Sequence, residues 1–194
     1  MPQPVIHPHP LPYVDALSAR ALAAIDTVVI HCTELPDLAT AREYGERALY
    51  AAGTGNSGHY YIDRDGRIEE YVPPTRIAHH VRGWNPRSVG IELVNTGRYP
   101  DWLDSRHQAM QAPYPEVQIA ALISLLNALR VQLPALTHIA GHEDLDREQV
   151  PASDDPALHV CRKRDPGPQF PWPAVLAAVA LQRIEDGLRG GVPV

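Results

Sequence analysis

Apolar positions along the chain change period several times, and each change predicts an element. Thr27-Val28-Val29-Ile30-His31 is a short β-branched run, apolar at nearly every position, which predicts a strand buried on both faces with His31 at its end. Leu38, Ala41, Tyr44, Ala48, Leu49 and Ala52 recur at helical spacing, and Gly53 supplies a stop, so residues 38–52 read as the first helix. The segment 59–72 alternates on either side of Asp65-Gly66, a two-residue turn signal, and predicts a β-hairpin. Ser88 to Val94 reads as a further core strand. From Pro115 to Leu133, the residues Val117, Ala121, Leu122, Leu125, Leu129 and Leu133 keep a period of about 3.6, with Pro115 tolerated in the first turn. A short strand near 135–140 leads into Gly141-His142, an irregular polar stretch follows, and 171–189 reads as a C-terminal helix opened by Pro171-Trp172-Pro173.

The opening residues are rich in proline and carry His7 and His9, which predicts an extended, exposed arm over residues 1–25. Regular structure is expected to begin near Asp26 and to form one domain over 26–190. A chain of 194 residues is long enough to bury a real core and too short for two comfortable domains. Strands alternating with helices predict an α/β class: a central mixed β-sheet flanked by α-helices.

Charge narrows the partners. The net charge of −6 leaves no broad basic surface for phosphates, so nucleic acid is not an expected partner. The cysteines are Cys32 and Cys161, too few for a disulfide-rich scaffold or a cysteine-only zinc site. No stretch of about 20 apolar residues predicts a membrane span, and the N-terminal residues lack a signal-peptide pattern, which makes the cytoplasm the expected location.

Ten histidines occur, and most histidines in such a domain are surface or core residues, so position must select among them. Catalytic zinc takes three His or carboxylate ligands and keeps one position open. His31 and His142 both follow apolar strand-like runs, where side chains can converge. Asp165 stands in Arg162-Lys163-Arg164-Asp165-Pro166-Gly167-Pro168, where proline and glycine fix the backbone; taken alone, this is also what a basic surface turn looks like. Asp144, Asp155 and His159 are alternatives for the third ligand. Glu92 lies within the strand 88–94, and a carboxylate in a buried strand is costly without a task or partner.

Five segments together resemble the type 2 N-acetylmuramoyl-L-alanine amidases, a family that includes recycling amidases, phage lysozyme-like amidases and peptidoglycan recognition proteins. They are VVIHCTE (28–34), SGHYYIDRDGRI (57–68), AHHVRGWNPRSVGIEL (78–93), IAGHEDL (139–145) and KRDPGPQFPW (163–172), in the family's order. The resemblance implies one zinc ion held by His31, His142 and Asp165, with Asp165 favoured over the alternatives by its Pro-Gly-Pro context. It implies Glu92 as the glutamate near the metal and Lys163 as the lysine that stabilises the transition state. His80, Trp84, Asn85 and Arg87 become candidates for substrate binding, with His79 the less favoured neighbour and His59 structural. The implied reaction is cleavage of the amide between N-acetylmuramic acid and L-alanine, with peptidoglycan fragments or muropeptides as partners. A non-catalytic peptidoglycan-binding module and a zinc hydrolase of another acyl amide are the competing readings.

Two departures from the family pattern stand out. Gly58 occupies the place where phage members carry a tyrosine. The gap of 23 positions between His142 and Asp165 exceeds the family's usual one, so 146–160 reads as an inserted polar surface loop beside the site, able to shape the groove or meet a partner.

Overall fold

The computed structural model describes residues 3–185. Regular structure begins well before Asp26: Ile6–Pro8 forms an outer strand, β1, where proline's missing donor costs little. Short 3-10 turns follow at Val14–Ala16 and Leu22–Ala24, and Leu11, Tyr13 and Leu17 are buried, while His7 and His9 are exposed. Thr27–Cys32 forms β2, buried at every position as its unbroken apolar run requires.

Helix α1 covers Leu38–Gly45 and is opened by the Asp37 carboxylate, which accepts the Thr40 N–H at 2.7 Å. It stops short of the expected Ala52. The backbone N–H groups of Leu49 and Tyr50 both donate to the Thr54 carbonyl at 2.9 Å, closing a loop in place of further helical turns, and both side chains are exposed. Strands β3 (Tyr60–Ile62) and β4 (Ile68–Glu70) form the expected antiparallel hairpin. Its reversal is longer than the Asp65-Gly66 pair alone, spanning Asp63 to Arg67, whose backbones bond at 2.9 Å.

Strand β5 (Ser88–Leu93) and helix α2 (Glu116–Gln132) follow, both where the periodicity places them. Next come β6 (His138–Gly141) and the single turn α3 (His142–Leu145). The stretch expected as an irregular loop instead folds on itself: β7 (Gln149–Pro151) pairs antiparallel with β8 (His159–Cys161), and Ala152 and Val160 are buried. Helix α4 covers only Trp172–Ala178. Val179 and Leu181 then turn inward at strand spacing, and Gln182–Arg183 adds to the sheet as β9, so the expected helix through 189 ends early; residues 186–194 lie outside the described region.

Among the described residues the main sheet has the order β1-β4-β3-β5-β2-β6-β9, with β3–β4 its one antiparallel pair, an α/β architecture around a mixed sheet. Val28, Ile30, Val89, Ile91, Leu93 and Ile62 meet Leu122, Leu125, Leu126 and Leu129 of α2 in the principal core. A second cluster joins Leu11, Tyr13 and Leu17 to Leu35, Ala41, Tyr61 and Tyr71. Strand alternation therefore sends even-numbered side chains of β2 toward α2 and odd-numbered ones, His31 included, to the other face. No helix among the described residues is long and apolar enough to cross a membrane.

Leu126 is wholly buried in this core, so Leu126→Ala is expected to lower unfolding free energy by about 2–5 kcal/mol. Val131 on the same helix is 86% exposed, and Val131→Ala should stay within about 0.5 kcal/mol. Urea denaturation of the two variants checks both.

Candidate metal centre and active cleft

Parallel pairing sets the first residues of the site. In the register of β2 with β5, His31 stands opposite Glu92, and in that of β5 with β3, Glu92 stands opposite Tyr61. His142 enters from the neighbouring β6–α3 junction, where the Asp144 carboxylate accepts the Gly141 N–H at 2.8 Å and fixes the start of the turn. Asp165 is delivered by a tethered loop: its carbonyl accepts the Glu143 N–H at 2.9 Å, and the next carbonyl, of Pro166, accepts the Tyr114 hydroxyl at 2.7 Å.

These elements bring His31, His142 and Asp165 together, all buried, with one possible ligand atom from each lying within 4.8 Å of the others. Asp165 Oδ2 faces His31 Nδ1 at 2.9 Å and His142 Nδ1 at 3.1 Å, while its Oδ1 is buried with no hydrogen-bond partner.

A chain of hydrogen bonds decides where the His31 proton sits. The Ser88 hydroxyl donates to the Trp84 carbonyl at 2.8 Å, so it is free to accept from His80 Nε2 at 3.2 Å. His80 Nδ1 then accepts from His31 Nε2 at 3.0 Å. With its proton on Nε2, His31 turns an unprotonated Nδ1 toward an ionised carboxylate, two electron-rich atoms facing each other. Together with the orphaned Oδ1, this arrangement fits a cation held among the three side chains, and a His, His, carboxylate set suits zinc.

The electrostatics agree with that fit. Burial pushes His31 down to about 4, favouring the neutral imidazole that a metal requires. Burial and the Asp165 charge push Glu92 up to about 8, with Lys163 opposing them. Glu92 fits beside this cluster because residue 58 is glycine: a Cβ there would stand 2.8 Å from Glu92 Cγ. The departure at Gly58 thus makes room for the glutamate.

The cluster forms the floor of a cleft of about 710 Å³ lined by Glu92, Lys163, His79, His80, Tyr44 and Tyr50, among others. Arg82 and Arg162 sit on its rim, bridged by Glu148 at 3.0 and 2.9 Å, and Glu148 adjoins the β7–β8 hairpin. Asn85 also lines the cleft, where its Oδ1 accepts the backbone N–H groups of His80 and Val81 and shapes their loop.

Trp84 and Arg87 are not brought to the cleft. Arg87 lies next to the start of β5, away from Glu92, where it pairs with Asp26 and stacks on Trp84. His59 lies behind the site, its Nδ1 accepting the Gly90 N–H at 3.0 Å. Asp144 pairs with Arg183, Asp155 accepts a turn N–H from Ala157, and His159 is exposed, so none of the three joins the cluster. Sequence reasoning missed Ser88, although strand alternation puts residues 88, 90 and 92 on one face. It also missed a buried ion pair between Glu34 and Arg98 at the cleft wall.

If Ser88 fixes the His31 tautomer, Ser88→Ala should weaken zinc binding by about 10–100-fold, measured by competition with a chromogenic chelator; unchanged affinity would sink the relay. Burial and the nearby Arg20 charge push His59 from 6.5 down to about 3. Its stabilising contribution is present above the unfolded value and is lost as pH falls from about 6.5 toward about 3. NMR should accordingly find the His59 ring neutral across about pH 5–8.

Residues 21–168 match the family model described as N-acetylmuramoyl-L-alanine amidase. The chain is 30% identical over 134 residues to the 1,6-anhydro-N-acetylmuramyl-L-alanine amidase AmpD of Salmonella typhimurium, covering 64% of this chain and 58% of that protein. It is 35% identical over 114 residues to the N-acetylmuramoyl-L-alanine amidase AmiD of Escherichia coli, covering 55% of this chain and 36% of that one. The solved structure of AmpDh3 from Pseudomonas aeruginosa in complex with anhydromuramic pentapeptide aligns with a TM-score of 0.60 at 26% identity, over 85% of this chain and 62% of that one. The chain thus spans only part of the length of each of these relatives. The family match takes in His31, Glu92, His142 and Asp165, and this chain belongs to the N-acetylmuramoyl-L-alanine amidase family.

Proposed function

We propose that this chain is a zinc-dependent amidase that hydrolyses the bond between N-acetylmuramic acid and L-alanine, acting on soluble anhydro-muropeptides. The observation that carries the reading is the convergence of His31, His142 and Asp165 on the floor of a cleft that Glu92 and Lys163 also line. Support for the substrate comes from the name of the Salmonella relative and from the anhydromuramic pentapeptide bound to the Pseudomonas structure.

In this reading His31, His142 and Asp165 hold one zinc, which when bound supplies Lewis acidity and acidifies water. Glu92 takes up the proton of the attacking water at its carboxylate and returns it to the leaving amine of L-alanine. Lys163 presents its ammonium to the oxygen on which negative charge develops. His80 and Ser88 hold His31 in the tautomer that leaves Nδ1 free.

The test uses the full chain with zinc and an anhydro-N-acetylmuramyl peptide, following release of the free peptide. Glu92→Gln is expected to lower kcat by about 10²–10⁴-fold while zinc content and fragment binding persist. A zinc-bound wild-type chain that binds the fragment and leaves it intact would instead make this a recognition module.

A further inference from the structure

Arg98 is 2% exposed and Glu34 is 6% exposed, so their ion pair is buried at the wall of the cleft. A buried guanidinium is tolerable only if its donors are all satisfied. Nε and Nη2 donate to the two Glu34 oxygens at 2.7 and 2.8 Å, and the Arg98 backbone N–H adds a third bond at 3.1 Å. The remaining donors leave the pair. Nη1 reaches the Cys161 carbonyl at 2.8 Å and the Gln108 side chain at 3.3 Å, and Nη2 reaches the Arg162 carbonyl at 3.4 Å.

The backbone is shaped to allow this. Glu34 has φ +49°, and Gly97 has φ +50°, where a Cβ would stand 2.6 Å from Glu34 Cγ. The Trp102 indole N–H holds the Glu34 carbonyl at 3.1 Å.

Asp165 does not depend on these contacts, since its own carbonyl and that of Pro166 are tied to Glu143 and Tyr114. Lys163 is different: it sits on the short span between the carbonyls that Arg98 holds and the anchored Asp165.

We infer that Arg98, oriented by Glu34, is a positioning residue that fixes Lys163 in the cleft without setting the metal ligands. The inference rests on the amidase reading of Lys163. It explains how the chain returns from the β7–β8 hairpin to the site in register.

The experiment is a double-mutant cycle of Arg98→Lys and Lys163→Met in the zinc-loaded full chain, assayed on an anhydro-N-acetylmuramyl peptide. Lysine keeps the charge but lacks the fork that reaches both carbonyls. Arg98→Lys is expected to lower kcat by about 10–100-fold, with KM and zinc affinity changed by less than about twofold. In the Lys163→Met background it should cost nothing more. Losses that multiply, or zinc affinity that falls in step with kcat, would overturn the inference.

A second readout is independent of amidase activity. Trypsin cleaves after lysine and arginine, and release of the clamp should speed cleavage within Arg162–Arg164 by about 10-fold while the rest of the chain stays intact. Unchanged proteolysis also overturns the inference. Faster cleavage in a chain whose wild type is inert supports the clamp and rejects the amidase reading. Should Arg98→Lys fail to fold, Glu34→Gln, which keeps a hydrogen-bonding partner for the guanidinium, enters the same cycle.

Discussion

The register between β2 and β5 is the constraint on which the site depends. His31 and Glu92 are opposite one another because Val28 and Ile30 pair with Val89 and Ile91 on the face that α2 covers. A slip of one residue in β2 would turn Val28 and Ile30 out of the core and carry His31 into it, while Glu92 stayed behind. The same apolar packing that stabilises the sheet therefore holds a histidine and a glutamate side by side. Neither has to be positioned by its own interactions alone.

That placement has an electrostatic cost. Two carboxyl groups, of Glu92 and Asp165, share a poorly solvated face, and burial together with the Asp165 charge raises the cost of ionising Glu92. Apolar residues of similar size would suit the fold better, as they do for many buried charge clusters. The hydrogen-bond chain from Trp84 through Ser88 and His80 has a comparable character, spending three polar groups on the orientation of one ring. The arrangement is intelligible as preparation for a positive charge, and poorly intelligible as a means of stabilising the empty fold.

Elements whose physics is local could be read from the sequence. The buried run of β2 and the helical period of α2 need no distant information, and both appear within a residue or two of their expected bounds. Family context carried His31, His142 and Asp165, which no periodicity would have joined. Where distant partners decide the outcome, the sequence was silent. Strand β1 exists because β4, far along the chain, offers it an edge, whereas α1 ends early for a local reason that periodicity does not show, the capture of two N–H groups by the Thr54 carbonyl. The β7–β8 hairpin was hidden because its charged and proline residues mask a strand pattern whose buried apolar side chains are Ala152 and Val160. Trp84 and Arg87 were drawn toward the site by their nearness in sequence to His80, yet β5 runs between them and Glu92. Glu34 and Arg98 are 64 positions apart, and neither motif nor period links them.

The outermost strand bears on how copies of this molecule behave in solution. A parallel sheet edge with free N–H and C=O groups is a template on which another chain can add, and growth of that kind ends in aggregates. Here the edge belongs to β1, where Pro8 ends the strand and Pro10 follows shortly after, both without a donor to offer. The proline-rich opening of the chain thus serves as a molecular full stop, finishing the sheet on this side so that it does not continue into a neighbour.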